Sequence, residues 1–403
     1  MGATLRALKK SKAAALLIVI EVALTLALVV IALSVVSERM QNMGRPSGVD
    51  EARIVSFSSS PIDPKTYAPE AAFVADRERL LLIDGIESVY VTNSLPLSGG
   101  GWSTGVTAVA GKDQDLGAAI YMFDENAVGT LGLNIVAGRN FTADEISHRQ
   151  DGARLTAKVA IITEALAKRL FPEQSAVGKF VSLDSDLPTL DTQIVGVVER
   201  LQAPWTGWGE LEHTIMVPVR PADGSWRWVL RVQPDALERV LKDAKETLAA
   251  ADRTRVIGRF QQTGLDLRKK AYSQDRSMAL ILGTISILLL IITALGIVGM
   301  ASFWVTQRTK QIGIRRALGA RRADILREFH LENALLTGAG AVLGVLIAYG
   351  LNFLVSAENG MQPVPISFLL GGVVGAMILG QLAVYWPARR ASQVAPAIAT
   401  RSV

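Results

Sequence analysis

The stretch MALILGTISILLLIITALGIVGMASFWVTQRTKQIGIRRALGARRADILREF, residues 278–329, changes character at Thr306. From Met278 to Val305 it is uncharged and exceeds the roughly 20 residues a helix needs to cross the hydrocarbon core. From Gln311 to Phe329 it is basic. Lys310, Arg315, Arg316, Arg321, Arg322 and Arg327 outweigh Asp324 and Glu328, while Ile312, Ala317, Leu318, Ile325, Leu326 and Phe329 recur at roughly helical spacing. Any cytoplasmic loop of a multi-span protein is basic, but this one is also patterned, as a docking segment would be. Leu318-Gly319-Ala320 predicts a break between two short helices, because glycine takes the left-handed conformation that closes a helix C-terminus. The first of these is predicted to lie in the membrane interface with its basic face toward water or a partner.

Three further runs read as spans: Ala13 to Val36, interrupted by Glu21, Ala334 to Val355, and Ile366 to Trp386. None alternates as a barrel strand would, so all four predict helices. Half the residues are hydrophobic and mean hydropathy is +0.31, which fits a membrane protein carrying a sizeable polar domain. Arg6, Lys9, Lys10 and Lys12 precede the first run, the basic segment follows the second, and Arg389, Arg390 and Arg401 follow the fourth. The distribution predicts both termini in the cytoplasm. The layout is then a cytoplasmic N-terminus 1–12, spans 13–36, 278–305, 333–356 and 366–387, a far-side domain 37–277, a cytoplasmic segment 306–332 and a C-terminus 388–403. Trp304, Tyr385 and Trp386 fall at cytoplasmic span ends as an interfacial aromatic belt. The first run is too long for a removed signal peptide and lacks a small-residue cleavage site after it, so it reads as a retained anchor that directs export.

These flanks account for most of the net charge of +5, and nucleic-acid binding is not needed to explain it. With no cysteine, disulfides, thiolate metal sites and a cysteine nucleophile are excluded. His148, His213 and His330 show no metal-ligand spacing, and no nucleophile–base pair or paired catalytic carboxylates stand out. A phosphate-cradling loop needs G-x-x-x-x-G-K-S/T. The nearest approach, Gly105 to Lys112, has one residue too many between its glycines and Asp113 where the hydroxyl belongs. The expectation is a chain that is no enzyme and binds no cofactor.

Within the far-side region, Arg53 to Ser58 predicts a strand, Ala68 to Ile83 an amphipathic helix and Glu87 to Asn93 a strand. The pattern recurs with Trp226 to Val232, Pro234 to Ala250 and Thr254 to Phe260. Two β-α-β units around about 130 intervening residues imply a split ferredoxin-like module with an inserted subdomain. In the insertion, Val159 to Ile162 and Gln193 to Glu199 predict strands and Glu164 to Leu170 a short helix stopped by Phe171-Pro172. Asn93 to Gly101 predicts a long, mobile loop, and Arg268 to Arg276 a stalk entering the second span.

Two carboxylates lie in apolar surroundings. Glu21, about 12 Å into the first span by helical rise, is expected to be satisfied near the cytoplasmic interface, the sharper alternative being a proton-sensitive or dimer-interface site. Glu332 opens the third span, with Arg327 or His330 as expected neighbours. Gly340 with Gly344, and Gly371 with Gly375, are small-xxx-small pairs suited to close helix contact. Trp226 and Trp228, two apart, predict one buried strand face; Trp205 and Trp208 sit in a glycine-rich loop suggestive of an exposed path.

Taken together, QIGIRRALGARRADILREF, the following HLENALLTGAGAVLG and PARRASQVAPAIATR (387–401) resemble the membrane domain of MacB/FtsX-type ABC transporter permeases. GRNFTADE (138–145), VAIITEALAKRLFPEQSAVGK (159–179) and QIVGVVE (193–199) are similar to the MacB-type periplasmic core. The resemblance implies an α-helical membrane protein with four transmembrane helices and a large α+β periplasmic domain, a split ferredoxin-like porter subdomain with an inserted sabre-like subdomain. It implies location in the bacterial inner membrane and mechanotransmission, with ATP hydrolysis by a separate ABC ATPase subunit, which uses ATP and Mg, driving motion of the periplasmic part. It carries over Ile312, Gly313, Ile314, Arg315, Arg316, Ala317, Leu318, Gly319 and Ala320 as contacts to that subunit. Further implied partners are a second permease copy or paralogue in a dimer, membrane lipid, and a periplasmic adaptor with an outer-membrane channel, but no nucleic acid. The namesake carries a fused ATPase domain before its first span, and this sequence does not. The implied activity is export of an amphipathic peptide, lipopeptide or drug; the alternatives are an FtsX-like signal transducer without transport or a lipoprotein-releasing permease.

Overall fold

The computed structural model describes residues 12–64, 67–108, 116–149, 156–183, 190–221, 223–359 and 364–394. The charges at Arg6, Lys9, Lys10 and Arg401 lie outside these residues, as does part of the Gly105 to Lys112 stretch. The chain divides into two compact units, one of Gly44–Ser273 and one of the segments on either side of it.

The outer module of the first unit is built from β1 (Ile54–Pro61), the helix Pro69–Leu81 and β2 (Ile86–Thr92). It is completed, after the insertion, by three later elements. Between come β3 (Trp102–Val106), β4 (Leu116–Met122), β5 (Ile135–Gly138), β6 (Ser147–Arg149), β7 (Val159–Thr163), β8 (Phe180–Val181), β9 (Thr192–Val198), β10 (Thr214–Val217) and β11 (Val219–Pro221). Then β12 (Trp226–Val232), the helix Leu237–Ala251 and β13 (Arg255–Thr263) return to the first sheet. Its order is β13-β1-β12-β2, antiparallel throughout. Two β-α-β units interleaved in this way form a ferredoxin-like sheet, with the insertion leaving after β2.

Period-two alternation decides which face the helices cover. Phe57, Trp228 and Val91 are paired across three strands, and all three are buried on the helical side. Phe73 from the first helix stacks on Trp228 with ring centres 5.8 Å apart and meets Trp226 edge-on at 5.9 Å. From the second helix come Val240, Leu241, Ala244 and Leu248, spaced as one helical face. Trp226 and Trp228 are therefore core residues. On the opposite face Tyr90 meets Phe123 of the insertion at 5.8 Å. Asn93 fastens the two modules, donating from Nδ2 to the Ile120 carbonyl and accepting at Oδ1 from the Met122 amide.

The insertion's sheet runs β3-β4-β10-β7-β9-β5, with β8 beside β9. A bridge between Thr107 and Ser182 and the bond from Thr104 Oγ1 to the Leu183 carbonyl bring the far end of the sheet back to β3. The sheet curls around a core that includes Ile120, Ile162, Leu166, Ile194 and Ile215. The segment Asn93 to Gly101 is held in place. Leu95 and Leu97 are buried, the Gly99 amide donates to the Pro204 carbonyl, and the Ser94 hydroxyl bonds the Gly100 carbonyl. Three glycines gave the impression of mobility, but the two leucines bury enough surface to fix the loop. Trp205 and Trp208 are only half-buried and pack edge to face, 5.4 Å apart.

The first and last segments of this unit are joined to each other. Arg268 makes a two-pronged pair with Glu51, Nε to Oε2 at 2.6 Å and Nη2 to Oε1 at 2.7 Å. Gly264 lies so close to the Glu51 backbone that an added Cβ would fall 2.4 Å from its carbonyl oxygen. The helix Gly264–Ala271 ends at Tyr272, short of the long helix that follows.

In the second unit four helices among the described residues are long and apolar enough to cross a membrane: Lys12–Gly44, Ser273–Ala317, Arg322–Asn359 and Ile366–Ser392. The second has 45 residues, about 67 Å by helical rise against a core of about 30 Å. Gly340 and Gly344 abut the first helix, an added Cβ meeting the Val19 and Ala23 carbonyls at 2.9 and 2.7 Å. Gly371 and Gly375 face open space, and their neighbour Gly372 instead approaches Val30. The hydroxyls of Thr25 and Thr293 bond at 2.7 Å between the first and second helices.

Two consequences follow for the first unit's stability. Asp76 and Arg255 form an ion pair with side chains 1% exposed. Replacing Arg255 with Met leaves the buried Asp76 carboxylate only the half-exposed Arg79, 3.1 Å away, and is expected to cost up to about 3 kcal/mol in urea denaturation, much of it recovered when Asp76 is also made apolar. Asp124 is buried, and loss of hydration, reinforced by the Glu125 charge, raises its carboxyl from 3.8 to about 6. The folded state therefore holds a proton that the unfolded chain has released. That stabilisation is complete below pH 3.8 and lost as pH rises through 6, about 3 kcal/mol in all. Denaturation midpoints between pH 4 and 7 should show this decline, and Asp124→Asn should flatten it.

Candidate coupling turn

The basic segment joins two long helices. The second helix runs without interruption to Ala317 and the third begins at Arg322. The break falls at Leu318-Gly319-Ala320 as the sequence indicates, but the flanking helices are not the two short ones expected, and the first is not a separate interfacial helix. Nothing between Val305 and Ala317 ends a helix: there is no proline, and Gly313 is buried in a packed turn, where the cost of glycine is only about 1 kcal/mol.

Gly319 has φ +99°. Its amide donates to the Arg316 carbonyl at 3.2 Å and the Ala320 amide to the Arg315 carbonyl at 3.1 Å, the paired bonds of a Schellman closure. The next helix is capped at once, the Asp324 carboxylate accepting from the Arg321 amide at 2.8 Å.

Ion pairs nest around this reversal. Arg315 donates to Glu328 at 2.6 Å near the tip. Deeper, Arg308 Nη1 reaches both oxygens of Glu332 at 2.9 and 2.8 Å, and that carboxylate is 1% exposed. Glu332 thus takes Arg308, and not the expected Arg327 or His330; His330 bonds Gln381 through Nδ1 at 2.7 Å. Folding the sequence back at Gly319 brings both pairs together, a signal present in the sequence and missed there.

The nine carried-over residues divide. Ile312 and Gly313 are buried, Ile312 beside Ile325 and Phe329 in the core at the base of the turn. Ile314, Arg315, Ala317, Leu318 and Gly319 are exposed, and Arg316 and Ala320 are intermediate. Ile314 and Leu318, four apart on one helical face, are 44% and 82% exposed. Both lie in the arginine-rich segment, whose Arg316, Arg321, Arg322 and Arg327 make no ion pair among the described residues. Among those residues, too, no cluster of metal-ligating side chains occurs.

Glu21 lies apart from the turn. Its carboxylate is seated against the backbone of Gly296 in the second helix, where an added Cβ would fall 2.3 Å from Oε1. It makes no hydrogen bond among the described residues.

Four apolar helices, a split ferredoxin-like module and an arginine-rich reversal are the pattern of a multi-span membrane protein. Residues 14–253 match the MacB-like periplasmic core domain and residues 283–396 the FtsX-like permease C-terminal domain. The chain belongs to the MacB/FtsX-type family of ABC transporter permeases. The macrolide export ATP-binding/permease protein MacB of Chromobacterium violaceum is 25% identical over 78% of this chain and 49% of its own length. The uncharacterized ABC transporter permease YknZ of Bacillus subtilis is 25% identical over 93% of this chain and 91% of its own. The chain therefore spans about half the length of the MacB proteins it matches. Among solved structures, the periplasmic region of MacB from Actinobacillus actinomycetemcomitans aligns with TM-score 0.34 and 16% identity, over 55% of this chain and 94% of that one.

Gly319 tests the geometry of the turn. Gly319→Ala forces a Cβ into left-handed backbone at a cost of about 1–2 kcal/mol. Amide hydrogen exchange from Leu318 to Asp324 should quicken correspondingly, and less so in Gly319→Asn.

Proposed function

We propose that this chain is the non-catalytic permease subunit of an ABC transporter, worked by a separate ATPase that binds the Leu318 turn. The observation that carries the reading is the exposed apolar pair Ile314 and Leu318 in an arginine-rich turn at the junction of two continuous helices. An apolar anchor with a charged rim is the composition of a protein-docking surface. Relatives named ATP-binding/permease proteins support an ATPase as the occupant. ATP and Mg belong to that subunit, and this chain holds no cofactor.

In this reading the termini and the turn face the cytoplasm and residues 44–273 the periplasm. Closure of the ATPase pushes on the turn. Because Arg308 and Glu332 bind the second and third helices together, the push is delivered to both as one body, and a close-packed helix passes displacement along its length. The permease works as a dimer of two copies or two paralogues, with a periplasmic adaptor and outer-membrane channel as further partners. Relatives named for macrolide and pyoverdine export support an exporter of amphipathic molecules over a signal transducer.

Reversing charge at Arg315 and Arg316 to Glu, or placing Asp at Leu318, should detach the ATPase or lower permease-stimulated hydrolysis by about tenfold or more, as losing an interface hot spot does. Copurification and hydrolysis measured together check this, and wild-type values in both would refute the docking assignment.

A further inference from the structure

Trp304, expected at a span end as a belt aromatic, is instead buried at 4% exposure, and so are Asn333 at 4% and Glu332 at 1%. All three line a cavity of about 10 Å³ inside the membrane unit, together with Ile18 of the first helix, Ala301 of the second and Val384 of the fourth. Each arrives there for a local reason. Trp304 lies one turn before Arg308 on the second helix, and the Arg308 guanidinium carbon sits 5.8 Å from its ring centre. Asn333 follows Glu332 on the third helix and presses on the fourth at Gly380, where an added Cβ would fall 3.1 Å from Asn333 Nδ2 and 2.7 Å from Thr337 Oγ1. A glycine there leaves room for the amide.

Two of the lining side chains carry an unpaired donor. Neither Trp304 Nε1 nor Asn333 Nδ2 has a hydrogen-bond partner among the described residues, and a buried donor left in that state is costly. Glu332 is the third polar part of the wall. Its two oxygens each accept from Arg308 Nη1, and each keeps a lone pair for a further donor. An occupant must then accept two hydrogen bonds and donate at least one. A metal cation would face two N–H groups, and an anion would face the carboxylate. The space is at the lower limit for a single water, about 10–15 Å³, and is too small for an organic group.

We infer that this cavity is a binding site for one water molecule, which accepts from Trp304 Nε1 and Asn333 Nδ2 and donates to the Glu332 carboxylate. Three bonds are what a buried water typically makes. The water links the second helix to the third one turn away from Arg308, so the ion pair and the water brace the same two helices at successive levels. The inference rests on these three side chains and on no partner or cargo.

The test uses the full chain in lipid nanodiscs, its seven tryptophans labelled at the indole nitrogen and Trp304→Phe identifying the signal of interest. Magnetisation transfer from water then separates two cases. A trapped molecule gives nuclear and rotating-frame Overhauser cross-peaks of opposite sign at the indole N–H, whereas proton exchange with bulk water gives the same sign in both. Trp304 should show the opposite-sign pair. Ala301→Val, which fills the cavity, should abolish it, and Asn333→Leu, which removes one donor, should weaken it. No cross-peak at wild-type Trp304 would mark a dry cavity, and cross-peaks of the same sign an open one; either overturns the proposal. So would a signal that survives Ala301→Val and vanishes in Thr337→Val, since the nearby hydroxyl proton would then be its source. Were Ala301→Val not to fold, the wild-type signs and the Thr337→Val result still decide.

Discussion

In hydrocarbon a backbone amide or carbonyl has no water to turn to, so a spanning segment must satisfy its own hydrogen bonds as a helix and the chain reverses outside the lipid. The reversal at Gly319, exposed among arginines, is closed by its own backbone all the same. One left-handed glycine, two backbone bonds and an aspartate cap allow a 45-residue helix to end and its successor to begin within four residues. With the reversal so tight, Arg315 meets Glu328, Arg308 meets Glu332, and Ile312 meets Ile325 and Phe329. Exposure of Ile314 and Leu318 then follows, since the opposite face of the same turn is already used for packing.

The unit Gly44–Ser273 obeys a different constraint. Its first sheet is completed only after the whole insertion has been made, so β1 and β2 wait for β12 to fill the gap between them. The pairing of Trp228 with Phe57 on one side and Val91 on the other makes that late strand the keystone of the helical face. On the reverse face Tyr90 and Asn93 give the insertion a fixed seat.

Much of this was legible in the sequence, for reasons that differ by element. The four spans announce themselves by hydropathy, which needs only composition over some 20 residues. The split module was readable because Trp226 to Val232 and the face of Val240, Ala244 and Leu248 carry clean periods of two and of 3.6. The strands β3, β4 and β10 escaped notice: LGAAIYM mixes small residues that favour no period, and TIMV is too short to show one. The extent of the helices around Gly319 was also misjudged, since charge marks where a chain leaves lipid but not where a helix stops. Burial of the Asn93 to Gly101 loop depends on Pro204 and its neighbours, far off in sequence, and local reading does not reach that far.

Glu51, Arg268 and Gly264 give the unit Gly44–Ser273 a clasp of its own. Because the turn at Glu51 that opens the unit and the helix Gly264–Ala271 that closes it are already fastened together, the region behaves as a cartridge whose two ends leave side by side. Evolution can enlarge, trim or exchange such a cartridge without retuning the helices that carry it.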